Sequence, residues 1–185
     1  MPALEKEIIL QILEQYPRFK SFVETGTYMG DTIFSLEDAF EELYTIEIKE
    51  EFYNNLTAKY KGSKINFILG DSSTEIKNVL PRLKYDTIFF LDGHWSAGNT
   101  GKGGKDCPLY EEIQSIMSFN KSAIIIIDDV RLFGKGPSKG NEVCNWEDIS
   151  VEKIFEITKK RLKEYCFLPS VLSERDRLVL HINKI

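Results

Sequence analysis

Five short apolar runs in this chain each lead directly into an acidic residue, and segments with helical spacing separate them. Ser21-Phe22-Val23 leads into Glu24-Thr25-Gly26, Leu43–Ile46 into Glu47, and Ile65–Leu69 into Gly70-Asp71. Ile88–Leu91 leads into Asp92, and Ala123–Ile127 into Asp128-Asp129. Strand and helix patterns in alternation predict a parallel sheet with helices on both faces. In an open sheet of this kind, ligands bind outside the carboxyl ends of the strands. Acids at successive strand ends therefore predict one shared acidic pocket. Such a pocket suits a cationic, hydroxyl-rich cofactor and a metal ion, and it repels a pyrophosphate.

The remaining elements are read from spacing and punctuation. Leu4–Tyr16 has apolar residues at helical intervals and stops before Pro17. Further helices are expected at 30–40, 50–60, from Ser72 to about Leu83, at 109–119 and at 150–162. Ser72 with Glu75 forms a capping-box pattern. The β-branched run Ala123–Ile127 reads as a central strand buried on both faces. The tail, Tyr165–Leu172 and Leu178–Asn183, reads as a hairpin around the polar turn Ser173–Arg177. Long loops are expected at 93–108 and 131–148. No repeat or linker breaks the chain, so residues 1–185 are expected to form a single domain.

Composition excludes several classes. A net charge of −5 lacks the basic footprint of a general nucleic-acid binder. The longest apolar run is strand-sized, far short of the roughly 20 residues of a membrane span. The N-terminus has no signal-peptide pattern. Cys107, Cys144 and Cys166 are odd in number and have no CxxC spacing, so they read as free thiols in a reducing, cytoplasmic compartment.

The loop Glu24-Thr25-Gly26-Thr27-Tyr28-Met29-Gly30 matches neither GxGxxG nor a P-loop. Gly26 would let backbone approach a ligand and Gly30 would let the following helix pack closely. Glu24 would tolerate an amino group or a sulfonium. Glu47 could accept from both hydroxyls of a ribose, and Asp71 from an adenine amino group.

In these segments the chain resembles the class I S-adenosylmethionine-dependent methyltransferases. The matching stretches are Val23–Thr27, Tyr44–Glu47, Leu69–Ser72, Phe90–Asp92 and Ile126–Asp129. The resemblance implies a Rossmann-like, doubly wound, seven-stranded α/β sheet, mostly parallel, with one antiparallel strand in the C-terminal hairpin. It implies Glu24 and Gly26 near the methionine part of the cofactor, Glu47 at the ribose and Asp71 near the adenine. The candidate cofactor-binding residues are thus Glu24, Thr25, Gly26, Thr27, Gly30, Thr32, Glu47, Asp71, Ser72 and Asp92. The first loop departs from the commoner form with three glycines, since Thr27 and Tyr28 follow Gly26.

Asp92 and Asp128-Asp129 end strands that are neighbours in this fold, and three converging carboxylates need an offsetting cation or protons. Phe90–Trp95 looks like the equivalent stretch of catechol O-methyltransferase, and Asp128-Asp129 is similar to the metal-binding pair of that enzyme and of the macrolide-sugar O-methyltransferases. The resemblance implies ligation of Mg²⁺, or of Mn²⁺ or Ca²⁺, by Asp92, Asp128 and Asp129. Gly93 departs from the catechol pattern by changing where His94 points. The plainer alternative has Asp129 capping a loop and Asp128 binding backbone.

His94, with an ordinary pKa of about 6.5, is the candidate general base, or else a loop-fixing residue; Asp92 is the second candidate catalytic residue. His181 is expected to be structural. Trp95 and Trp146, one in each long loop, either stack on a ligand or pin their loops. Lys102, Lys105, Arg131, Lys135 and Lys139 either form a basic rim for an anionic acceptor or are solvated. The expectation is a methyltransferase, metal-assisted on the hydroxyl of a small molecule or sugar. The alternatives are a metal-independent N- or O-methyltransferase and a non-catalytic cofactor-binding module; a nucleotide-sugar or phosphate-binding enzyme is disfavoured by Glu24. The final hairpin offers an edge for a homodimer.

Overall fold

A computed structural model describes residues 3–185. Helix α1 (Lys6–Gln15) precedes β1 (Phe19–Thr25), α2 (Asp31–Ser35), β2 (Glu42–Glu47), α3 (Glu50–Lys59) and β3 (Ile65–Leu69). Then come α4 (Ser72–Val79), β4 (Asp86–Leu91), α5 (Leu109–Ile116) and β5 (Ala123–Ile127). A small hairpin, β6 (Ser138–Lys139) and β7 (Glu142–Val143), precedes α6 (Val151–Thr158), β8 (Leu162–Leu168) and β9 (Arg177–Ile182).

Seven strands form one sheet in the order β3-β2-β1-β4-β5-β9-β8. Strands β1 to β5 pair in parallel, and β9 runs antiparallel to both β5 and β8. This is the mostly parallel, Rossmann-like sheet expected from the sequence, with its one antiparallel strand in the terminal hairpin. Alternation along the strands divides the apolar side chains between the faces. Phe89, Leu91, Ile125 and Ile127 pack with Ile76 of α4, Ile113 of α5 and Ile154 of α6. Ile88, Phe90, Ile124 and Ile126 pack with Ile9 of α1 and with Ile33 and Leu36. All five residues of β5 are buried, as its β-branched run requires.

Register decides what meets at the sheet's carboxyl edge. Thr25 pairs with Ile46 on one side and Leu91 on the other, Leu91 pairs with Ile127, and Glu47 pairs with Leu69. The residues that follow each strand therefore emerge at one level. The strand order reverses between β1 and β4, which opens a crevice at that point.

Several expected elements differ in detail. Helix α4 is capped by Asp71, whose side chain accepts from Ser73 N; Ser72 is its first helical residue, so the Ser72–Glu75 capping box does not form. An aspartate is as good an N-cap as serine and sits one residue earlier. Helix α2 is only five residues long, because Ser35 Oγ bonds back to Thr32 O and the chain then turns to bury Phe40 against Phe22. Strands β6 and β7 lie inside the loop expected at 131–148; two exposed residues each leave no readable alternation. Among the described residues, no helix is long and apolar enough to cross a membrane.

Candidate active site

The crevice between β1 and β4 opens into a cleft of about 260 Å³, walled by the ends of β1 to β4 and by the glycine-rich loop 93–108. Gly26 sits at φ +80°, and a Cβ there would strike the carbonyl of Asp92. Glycine at 26 is what lets the first loop lie against the end of β4. Glu47 anchors the neighbouring turns: one oxygen accepts from Tyr28 N and the other from Lys49 N, each at 2.8 Å. Asp71 accepts from Ser73 N and Ser73 Oγ on one oxygen and from Gly104 N, at 3.2 Å, on the other. Burial pushes the Asp71 pKa up, but these hydrogen bonds outweigh it and hold the carboxyl below the ordinary value.

Of the candidate cofactor residues, Gly26, Glu47, Asp71, Ser72 and Asp92 line the cleft. The others lie beneath it. Thr25 Oγ1 accepts from the backbone N–H groups of Asp92 and Gly93, at 3.3 and 3.1 Å. Thr27 pairs with Thr45 through their hydroxyls, and Thr32 Oγ1 accepts from Leu4 N. Gly30, at φ +84°, leaves room for Phe34 and Leu56. Glu24 requires a correction. Its carboxyl is buried under the first loop and accepts from Thr45 Oγ1 at 2.8 Å, away from the cleft wall. Burial, with a smaller push from Glu47 and against the pull of Thr45, raises its pKa to about 8. Burial therefore holds Glu24 toward its neutral form.

The acids at β4 and β5 assemble with His94 rather than with one another alone. Ligand atoms of Asp92, His94 and Asp129 all lie within 4.8 Å of each other. His94 Nε2 is 2.8 Å from Asp129 Oδ2 and 3.3 Å from Asp92 Oδ1. Asp129 holds a left-handed conformation at φ 59° that turns its side chain back toward His94. Of the expected ligand set Asp92, Asp128 and Asp129, Asp128 stands apart from His94 and groups instead with Asp129 and Asp176. Its Oδ1 accepts from Asp129 N and lies 3.3 Å from Nε of the fully buried Arg177. Arg177 also pairs with Glu5, so Asp128 is committed to a buried ion pair.

Electrostatics separate the two remaining acids. Burial, followed by the charges of Asp128 and Asp129, pushes the Asp92 pKa well above the carboxylate range. Burial pushes Asp129 the same way, but the hydrogen bond and charge of His94 and then Arg131 bring it below its ordinary value. Asp92 Oδ1 is buried and has no hydrogen-bond partner among the described residues, an atom that calls for explanation. Two carboxylates and an imidazole, one carboxylate oxygen unsatisfied, fit a divalent cation of the Mg²⁺ or Mn²⁺ type.

Arg131 was a basic-rim candidate, and two further side chains here, Arg177 and Glu112, were given no site role by sequence. Arg131 bonds Asp129 and Asp176, so it belongs to the site's framework and not to a basic rim. Arg177, which reads in sequence as a turn residue, neutralises Asp128. Glu112, on the apolar face of α5 with Leu109, Ile113 and Ile116, is buried; an acid at i+3 on such a face was its available signal. Trp146 packs edge-on against the His94 ring at 4.3 Å and so fixes the histidine, while Trp95 carries Lys102 Nζ over its ring at 3.8 Å. Lys102 and Lys105 also pair with Asp106 and Glu111; Lys105 and Lys139 line the cleft. His181 faces Glu164 and Tyr16, away from the cleft.

No family model and no curated protein matches this sequence. Solved structures do. CalS10, an amino pentose methyltransferase from Micromonospora echinaspora involved in calicheamicin biosynthesis, superposes with a TM-score of 0.62 at 11% identity, covering 96% of this chain and 89% of that one. An S-adenosylmethionine-dependent methyltransferase from Clostridium acetobutylicum gives 0.60 at 11% identity over 96% and 90%. The chain has the class I S-adenosylmethionine-dependent methyltransferase fold. The N-methyltransferase NodS from Bradyrhizobium japonicum shares it, with a TM-score of 0.59 at 11% identity over 97% and 94% of the chains. So does a precorrin 8w decarboxylase from Methanobacterium thermoautotrophicum, at 0.53 and 14% over 100% and 93%. The reaction must therefore be argued from the site.

Proposed function

We propose that this protein is an S-adenosylmethionine-dependent methyltransferase that methylates a hydroxyl oxygen of a small molecule or sugar, with a divalent cation held by Asp92, His94 and Asp129. The observation that carries this reading is the unsatisfied Asp92 Oδ1 beside His94 and Asp129, at the floor of the crevice where this fold takes its ligand. Gly26 gives the cofactor close backbone approach. Glu47 keeps unused lone pairs for the ribose hydroxyls, and Asp71 and Ser72 stand where the adenine would lie.

A bound divalent cation supplies Lewis acidity, lowering the pKa of a coordinated hydroxyl. The chain's own residues do the rest. Asp129, held by Arg131, stays ionised. Trp146 packs edge-on against the His94 ring and limits its rotation. Lys105 and Lys139 at the mouth suit an acceptor bearing a phosphate or carboxylate away from the reacting hydroxyl.

A second reading rests on the 2.8 Å contact between His94 Nε2 and Asp129. With no cation, Asp129 orients His94 and the imidazole is the general base of a metal-independent methyltransferase. Turnover of S-adenosylmethionine to S-adenosylhomocysteine with a pool of hydroxyl acceptors tests both. Loss of turnover in EDTA, restored by Mg²⁺, supports the first reading; unchanged turnover supports the second. No turnover, and no calorimetric binding of S-adenosylmethionine, removes both.

A further inference from the structure

Three buried side-chain polar atoms have no hydrogen-bond partner among the described residues: Asp92 Oδ1, Glu112 Oε1 and Trp146 Nε1. All three belong to residues grouped around His94. Asp92 is 3.3 Å from its Nε2, Trp146 packs on its ring, and Glu112 shares with it the wall of a second, inner cavity. That cavity measures about 10 Å³, room for a single water-sized sphere. Its polar wall is Glu112, His94, Asp128 and Gly93; Ile127 and Phe133 are among the apolar remainder. Glu112 and His94 both border this space. A buried water needs two to four polar partners, and this wall supplies them.

The imidazole borders both the open cleft and the inner cavity, and its Nε2 is turned to Asp92 and Asp129. A metal-ligating histidine almost always engages its second nitrogen with a carboxylate, a carbonyl or a water, which fixes tautomer and ring angle. Glu112 faces the hydroxyls of Ser72 and Thr25, which oppose the upward push of burial on its pKa, but its Oε1 stays buried without a partner among the described residues, and that is costly.

We infer that one ordered water fills the inner cavity and joins the Glu112 carboxyl to the His94 ring, making Glu112 a positioning residue for the cation site. The link to the cation rests on the metal reading proposed above; the water joint does not. Glu112 touches no reacting atom. Its effect on the site passes through the orientation of His94.

Three measurements test this. The first is an atomic-resolution crystal structure of the wild-type chain, the second the ¹⁵N spectrum of the His94 ring, and the third Mn²⁺ affinity by calorimetry. Density for one water between Glu112 and His94 is expected. Glu112→Gln, which still bonds the water, keeps the ¹⁵N shifts and the Mn²⁺ affinity within about twofold. Glu112→Leu moves the ¹⁵N shifts and weakens Mn²⁺ by about 10-fold or more. A purely structural role would leave the spectrum and the Mn²⁺ affinity of the folded fraction unchanged. No density in the cavity, or Glu112→Leu with wild-type shifts and affinity, overturns the inference. If wild-type protein binds no Mn²⁺, the metal reading fails, and density and the ¹⁵N spectrum alone decide the water joint. Should Glu112→Leu not fold, the wild-type density and Glu112→Gln still decide it.

Discussion

Asp128 and Asp129 are adjacent in sequence but serve different partners: Asp129 Oδ2 lies 2.8 Å from His94 Nε2, while Asp128 Oδ1 lies 3.3 Å from Arg177 Nε. The left-handed conformation of Asp129 sends the two carboxylates apart. One meets His94, which lines the cleft, and the other is neutralised inside the protein.

This division predicts opposite behaviour of two conservative variants. Asp92→Asn and Asp129→Asn each weaken Mn²⁺ binding by about 10-fold or more. Asp128→Asn leaves Mn²⁺ affinity within about twofold but destabilises the fold. Arg177→Met, which strands a buried carboxylate, costs about 3–5 kcal/mol. Calorimetric titration with Mn²⁺ and urea unfolding check both halves.

Glu24 makes stability fall with rising pH. Its folded pKa is about 8 against an ordinary value of 4.5. The folded state therefore binds the extra proton between these values. The contribution is fully present below pH 4.5 and is lost as pH rises through about 8. Asp92 and Glu112 are raised too, so the comparison must be with Glu24→Gln in the same background. The variant should gain on wild type by a few kcal/mol between pH 5 and 8. Urea midpoints at the two pH values measure this, and parallel curves would contradict it.

Glu47→Gln tests the ribose position. It keeps one acceptor oxygen for the Tyr28 or Lys49 N–H and loses the charge. Cofactor affinity should fall by about 10-fold or more, as expected for losing hydrogen bonds to a charged group. Calorimetry with S-adenosylmethionine gives the value, and an unchanged Mn²⁺ affinity in the same variant shows that the floor of the cleft is intact.

Reversing the charges at the mouth tests acceptor chemistry. Lys105→Glu with Lys139→Glu should raise KM for an anionic acceptor and leave cofactor affinity unchanged. Equal KM values for wild type and the double variant would leave these lysines as solvated loop residues.

The sheet was legible because its central strands β1, β4 and β5 are almost wholly buried and its strands begin and end in turn signals. β3, β4 and β5 fall on the residues that the apolar runs delimit. The placing of Glu47, Asp71 and Asp92 on the cleft wall was legible too, since strand ends in a parallel sheet share one edge. Side-chain direction was not. Glu24 and Glu47 look alike in sequence, yet Thr45 draws one beneath the loop while two backbone N–H groups hold the other at the cleft. Arg177 lies 49 residues from Asp128, and only the β5–β9 pairing brings them together, so Asp128 could not be told from Asp129. Glu112 was hidden because periodicity counts an acid on a helix as solvated until the packing of its face is known.

The most direct measurement is the anomalous map of a crystal grown with Mn²⁺ and S-adenosylhomocysteine. The account predicts one Mn²⁺ peak bounded by Asp92, His94 and Asp129, with the cofactor's ribose at Glu47 and its adenine beside Asp71. A peak held by Asp128, or a cofactor bound away from the crevice between β1 and β4, would contradict it.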